Sequence, residues 1–561
     1  MDRRTTLSTF LGRKNKSEHN DLKNKIFQKA EKTGTTSSGL DPYTGPWEFE
    51  QAAHLLRRTT YGPTYVKIKD AVQNGLDNVI TQLFAVQTLP SPPVNYNYED
   101  DPNVPIGASW IDSPYSLTEN FTGYRNRSLV AWTMGLMANE ENSIREKMTL
   151  FWHNHFVTGD INDPKFVYKY ITLLRENALG NFKDLVKKVT IDPAMLRYLN
   201  GNENTKTAPN ENYARELMEL FTLGKGDLAG PGDYTTFTED DVVAMAKVLT
   251  GWRDVGFFTL EFNQIDSVFI ANRHDTDPKQ LSHRFDNVII DNSNDEEYAD
   301  LIDIIFQKDE VSKFICRKLY RWFVYYKIDD DVEQNIIVPI AQLLVDNDYE
   351  IAPVLEVLLK SEHFYDVENY GCMIKNPMDF TMAMINQFEV QIPTDLELQY
   401  RVWLTLYEFP TILQMQYYSP PSVAGWKAYY QEPSFYQIWT NSVTLPFRAQ
   451  LAGLMLTTGI NIPGDNPIID VLAFLDTVDD PYDVNNMLDE FIKIIFSKDI
   501  SQNQKDYLKA ILIPGLPDFE WNVEYTEYAS DPGNETLANS IRNKLTNLFF
   551  AMLTMPEYHL S

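Results

Sequence analysis

From Trp47 onward, apolar residues recur every three or four positions in one run after another, and that spacing commits the chain to helices. The first run, 48–58, follows Pro46 and places Phe49, Ala52, Ala53 and Leu56 on one side. The same spacing predicts helices over 71–84, 123–138, 142–156, 165–176, 182–190, 209–223 and 239–250. Beyond these it predicts 299–306, 310–325, 334–347, 352–361, 377–388, 446–457, 484–496 and 536–555. Only 257–262 and 287–290 read as short strands, and no fixed repeat argues for a solenoid. The expected fold is mainly α: a large multi-helix globular fold with long irregular loops and at most a small β-hairpin insertion.

Two stretches break the pattern. Residues 89–113, rich in Pro, Asn, Asp and Tyr, read as a surface wrap. Residues 252–295 carry two histidines and keep a functional reading open. Polar, turn-rich segments near Asp295 and Asp465 suggest lobes 46–295, 296–464 and 465–561, or one integrated unit over 46–561. Ahead of them, residues 1–45 read as a flexible basic tail. Its first 33 residues hold nine Lys or Arg against four Asp or Glu. Arg3-Arg4 faintly resembles a twin-arginine export signal, but the stretch after Leu11 is polar where such a signal needs an apolar core.

The tail's charge is against the trend. Lys and Arg total 49 and Asp and Glu 79, a net charge of −30, which argues against nucleic acid or an anionic membrane as partner. No run approaches the roughly 18 apolar residues of a membrane span, so a soluble protein is expected. The two cysteines, Cys316 and Cys372, cannot frame a chain of 561 residues, and Cys316 reads as a core filler.

Ionisable residues concentrate in three places. In Phe151-Trp152-His153-Asn154-His155-Phe156 the histidines lie roughly 200° apart on a helix and cannot share a metal. His155 falls with Ile144, Met148 and Phe151 and reads as a hydrogen-bonded core histidine. His153 falls with Asn142 and Glu146, either as a site residue or as a structural His–Glu pair. Along 209–224, Asn212, Arg215, Glu216 and Glu219 form a polar stripe: a solvated face, an acid–base pair, or oxygen ligands for a hard cation. In Arg273-His274-Asp275 the His–Asp pair sits in a loop ahead of Pro278. Ser419-Pro420-Pro421-Ser422-Val423-Ala424-Gly425-Trp426 reads as a packing corner, with pocket lining by Trp426 as the alternative. No phosphate-binding glycine loop, nucleophile elbow or dinucleotide fingerprint occurs.

These segments, with Ala53-His54-Leu55-Leu56-Arg57-Arg58, Leu249-Thr250-Gly251-Trp252-Arg253 and the closing Met555-Pro556-Glu557-Tyr558, resemble a bacterial family catalogued as domain of unknown function 1800. The likeness runs over about 46–561. It implies a helical fold and no assigned activity. It also implies a sulfatase- or phosphatase-like partner protein encoded nearby, and a link to envelope or polysaccharide chemistry. Phe221 departs from the family, whose members often carry His there. The residues favour a cytoplasmic location and the family likeness a periplasmic one.

Two function classes follow. A hydrolase or lyase would use His153, Glu216, Arg215, His274 and Asp275 as catalytic residues, with Asn212, Trp252, Arg253 and Trp426 binding substrate. A divalent metal, if used, would sit on His153, Glu216 and Glu219. The alternative is a non-catalytic helical binding or assembly protein acting with an exported partner, or a carbohydrate binder using its Trp and Tyr faces.

Overall fold

The computed structural model describes residues 38–261, 264–426 and 438–561. The export-signal reading and most of the basic-tail reading fall on residues 1–37, outside the described residues, as does Phe262. The architecture is mainly α. Its most enclosed element is helix Arg145–His155, where every side chain from Glu146 to His155 is buried. Trp152 anchors it, donating from Nε1 to the Ala178 carbonyl at 3.0 Å and stacking on Phe182 at 5.7 Å. Helix Pro164–Glu176 lies alongside. Helices Thr122–Ala138 and Leu396–Ile412 pack along each other, and Gly135 lets them close: a Cβ there would stand 2.7 Å from the Trp403 ring. Toward the C-terminus, helices Thr444–Thr457, Val471–Leu475, Gln502–Leu512 and Phe519–Ser530 gather around Glu535–Thr554. Phe388 ties that group to the rest through Phe474 at 4.6 Å and Phe549 at 5.7 Å.

The β structure is more than the one hairpin expected. Three two-stranded antiparallel sheets form from β1 (Leu228–Gly230) with β2 (Asp233–Tyr234), β3 (Trp252–Val255) with β4 (Asp266–Phe269), and β5 (Lys279–Gln280) with β6 (Ile289–Ile290). The expected strand over 257–262 is, in its described part, the turn between β3 and β4. Its aromatics are loop anchors: Phe257 meets Phe166 edge-on at 5.1 Å and lies under the Arg197 guanidinium at 3.5 Å. Residues 89–113 do run irregularly over the surface, as expected, but they are pinned to the core at several points. Trp110 and Asn95 are buried, Trp110 Nε1 donates to Ser128 Oγ, and Asp101 forms a buried ion pair with Arg125 at 3.0 Å. Cys316 is a buried free thiol whose pKa burial pushes up, as suits a core filler.

Candidate functional site

The enclosure of helix Arg145–His155 decides what its two histidines do. His155 receives a hydrogen bond from Lys318 Nζ at Nδ1 (2.9 Å) and faces the Phe221 carbonyl with Nε2 (3.1 Å), so it is a hydrogen-bonded core residue. His153 accepts from the Tyr418 backbone N–H at 3.2 Å and stacks on Tyr417 at 4.9 Å, with the Trp426 ring edge-on at 5.5 Å. Burial drives its pKa down to about 3, so the ring is neutral. The His153–Glu146 pair read from the helical wheel does not form. Glu146 instead accepts two bonds from Arg175, at 2.7 and 2.9 Å, because a planar guanidinium matches both carboxylate oxygens at once.

The Ser419–Trp426 segment does reach this helix. Asn154 Oδ1 accepts the Trp426 backbone N–H at 2.9 Å, and Gly425 (φ +90°) passes so close that a Cβ would lie 2.3 Å from the same oxygen. Trp426 is buried against His153, in the packing corner that its sequence suggested. Next to it a groove of about 550 Å³ is lined by Tyr417, Tyr418, Ser419 and Asp160.

The other expected site residues belong to separate networks. Asn212 is exposed and starts helix Asn212–Glu216, its N–H bonded to Asn210 Oδ1; the chain then continues as a π-helix over Leu217–Thr222. Arg215 is committed to Glu239 (2.8 Å), Glu211 (3.2 Å) and Glu219 (3.8 Å). Glu216 is half-buried, and burial followed by repulsion from Glu219 raises its pKa. His274 is buried between the Thr250 carbonyl (2.9 Å) and Glu297 (2.9 Å), whose other oxygen meets Lys279 at 2.6 Å. Asp275 folds its own loop by accepting the Asp277 N–H at 3.0 Å. Trp252 packs on Phe269 and Tyr298, and Arg253 is exposed. Thus the structure joins His153 to Trp426, while Glu216 and Glu219 share a different face and His274 stands in a third network. Among the described residues, no group of three or more His, Cys, Asp or Glu side chains is arranged to hold a metal ion, and His153, Glu216 and Glu219 do not form one.

A larger feature lies elsewhere. A cleft of about 900 Å³ opens where helix Phe49–Thr59, the end of helix Asp309–Phe323, the loop around Gly371 and helix Val484–Ile495 meet. Tyr320, Tyr325, Tyr326, Tyr370 and Phe496 wall it, and Arg57, Lys327, Lys493 and Lys498 enter it, against Glu50 and Glu368. A fifth cation, Lys505, is neutralised by Asp489 (2.9 Å) and Asp499 (3.0 Å). Arg57 Nη2 donates to the carbonyls of Lys493 (2.7 Å) and Ile494 (3.0 Å), where a helix end favours positive charge. Its Nε has no partner, and burial lowers its pKa to about 10.

A family model described as a protein of unknown function, DUF1800, matches residues 54–560. The chain belongs to this family. No curated protein and no solved structure matches this DUF1800 chain. Its cleft was not evident in the sequence because the lining is drawn from positions as far apart as Glu50 and Lys505. The one local signal was Arg57, which with Arg58 makes two adjacent cations at the end of a helix in an acidic protein.

Proposed function

We propose that this DUF1800 protein binds an acidic carbohydrate in the cleft between its N-terminal, middle and C-terminal helices. The observation that carries this reading is the lining: tyrosine faces interleaved with Arg57, Lys327, Lys493 and Lys498 in a protein of net charge −30. Aromatic faces pack on the C–H faces of sugar rings, and basic side chains hold carboxylate, sulfate or phosphate substituents. A volume of about 900 Å³ lies within the range of organic-ligand sites. Calorimetric titration with oligogalacturonate, a sulfated disaccharide and a neutral galacto-oligosaccharide tests it. At least one acidic probe should bind about tenfold or more tighter than the neutral one, and Lys493→Glu with Lys498→Glu should abolish the difference. Equal or absent binding of all three would sink it.

A second reading, a hydrolase or lyase working by general acid–base chemistry, draws on Glu216 and Glu219. The half-buried Glu216, whose pKa is raised by burial and by its neighbour Glu219, offers this chemistry a proton donor. Turnover of an acidic polysaccharide that disappears in Glu216→Gln with the fold intact would favour it. The divalent-metal version is answered by elemental analysis of the purified protein beside His153→Ala and Glu216→Ala.

A further inference from the structure

Behind the cleft the fold crowds cations together. Arg57 and Arg58 follow each other on helix Phe49–Thr59, and Lys147 comes from helix Arg145–His155. All three line a small cavity of about 20 Å³, together with Trp322, Met373, Ile374, Asn376 and Ser561. Lys375 and Arg448 stand within electrostatic range, and burial with the field of Arg57, Arg448 and Lys147 brings Lys375 down to about 7. Asp379 is the one carboxylate side chain of the lining. Its oxygens are already engaged, one by Lys147 and the other by Asn376 Nδ2 at 2.9 Å.

The guanidinium donors are left over. Arg58 is 4 % exposed; its Nη2 donates to the Asn369 carbonyl at 2.8 Å and contacts Cys372 Sγ at 3.3 Å, while Nε and Nη1 have no partner among the described residues. Arg57 Nε is also without one. Arg448 uses Nη2 on the Lys375 carbonyl (2.8 Å) and leaves Nε and Nη1 unpaired. Guanidinium groups as enclosed as those of Arg58 and Arg448, with donors idle among the described residues, are expensive to keep. A water molecule would satisfy a donor or two without balancing charge. The cavity is small, about 20 Å³, and of the common anions a monatomic one fits it with the least displacement of the lining.

We propose that this cavity is a buried chloride site, the ion being held by the free donors of Arg57 and Arg58 beside Lys147 and pinning the N-terminal helix to the middle and C-terminal ones. The site shares Arg57 with the carbohydrate cleft, but the test of that reading rests on Lys493 and Lys498, so either can fail alone.

The test uses the full chain. Crystals grown in sodium bromide and measured at the bromine edge should show an anomalous peak in the cavity, within hydrogen-bond reach of Arg58. In solution, chloride and bromide should raise the unfolding temperature along a saturating curve, and acetate at equal ionic strength should not. Arg58→Met should erase the difference between the salts; if that variant does not fold, the bromide peak and the salt series on the unsubstituted protein decide. Bromide at exposed positions alone (an adventitious ion only), with equal unfolding temperatures in chloride and acetate, would overturn the proposal.

Discussion

Gly425 and Gly75 separate two costs that a glycine can hide. Both have positive φ, +90° and +77°, where an L side chain is strained. Around Gly75 a Cβ meets nothing within 4 Å, so Gly75→Ala should cost about 1 kcal/mol from backbone strain. At Gly425 the same Cβ would strike Asn154, and Gly425→Ala should cost about 3 kcal/mol or more by displacing the Asn154–Trp426 bond. Urea unfolding of both variants checks the order, and equal losses would refute the packing account. His153 belongs at this scale too. His153→Ala would leave the buried Tyr418 N–H without its acceptor and open a gap against Tyr417. We expect a loss of about 2–4 kcal/mol in the same assay. The wheel placed His153 beside Glu146 correctly in angle, but it could not reveal that Arg175 competes for that carboxylate. An angle on one helix says nothing about what the neighbouring helix offers.

Between elements, the bidentate Glu146–Arg175 pair ties helix Arg145–His155 to helix Pro164–Glu176, with both side chains about 1 % exposed. Glu146→Gln strands a buried guanidinium and should cost about 3–5 kcal/mol, whereas Glu146→Gln with Arg175→Met should recover a good part of that loss. Denaturant midpoints of the two variants decide; a double variant weaker than the single one would mean the pair is not the tie. Most helices were legible from spacing and caps, because apolar periodicity survives as long as one face is buried. Gln502–Leu512, Phe519–Ser530 and Leu396–Ile412 were not, and the last of these contains Pro410, a residue that breaks helix interiors. It lies in the last turn, where the helix is ending anyway. Of the two expected strands, 287–290 contains β6, whereas 257–262 failed because β propensity measures fit to a half-buried surface, and Phe257 satisfies that from a turn.

For the molecule as a whole, buried neutral histidines set the response to acid. His153 and His559 are held down to about 3, and His54 and His155 well below their usual value, burial being the main cause in each. Between pH 6.5 and about 3 the unfolded chain therefore binds more protons at these positions than the native one. Stability falls as pH drops through that window, by up to about 1.4 kcal/mol per pH unit for each group. Glu140, raised by burial and by Glu146, works the other way, so the informative quantity is a difference. His559→Gln should flatten the slope of unfolding free energy against pH between 6 and 4, and an unchanged slope would dispose of the assignment. The same scale explains why the cleft was hidden. Helical content is written locally, but a site whose lining spans Glu50 to Lys505 exists only once the chain has closed on itself.

That closure has a timetable. The bond from Arg57 to the Lys493 carbonyl joins residues 436 positions apart. At a synthesis rate of roughly 5–20 residues per second, the first helix waits between roughly 20 and 90 s for its partner to be made. Throughout that interval Arg57 and Arg58 sit on a nascent chain with neither their helix-end carbonyls nor an enclosed cavity to receive them. Newborn copies therefore hold these two cations free of the contacts that cover them in the finished fold.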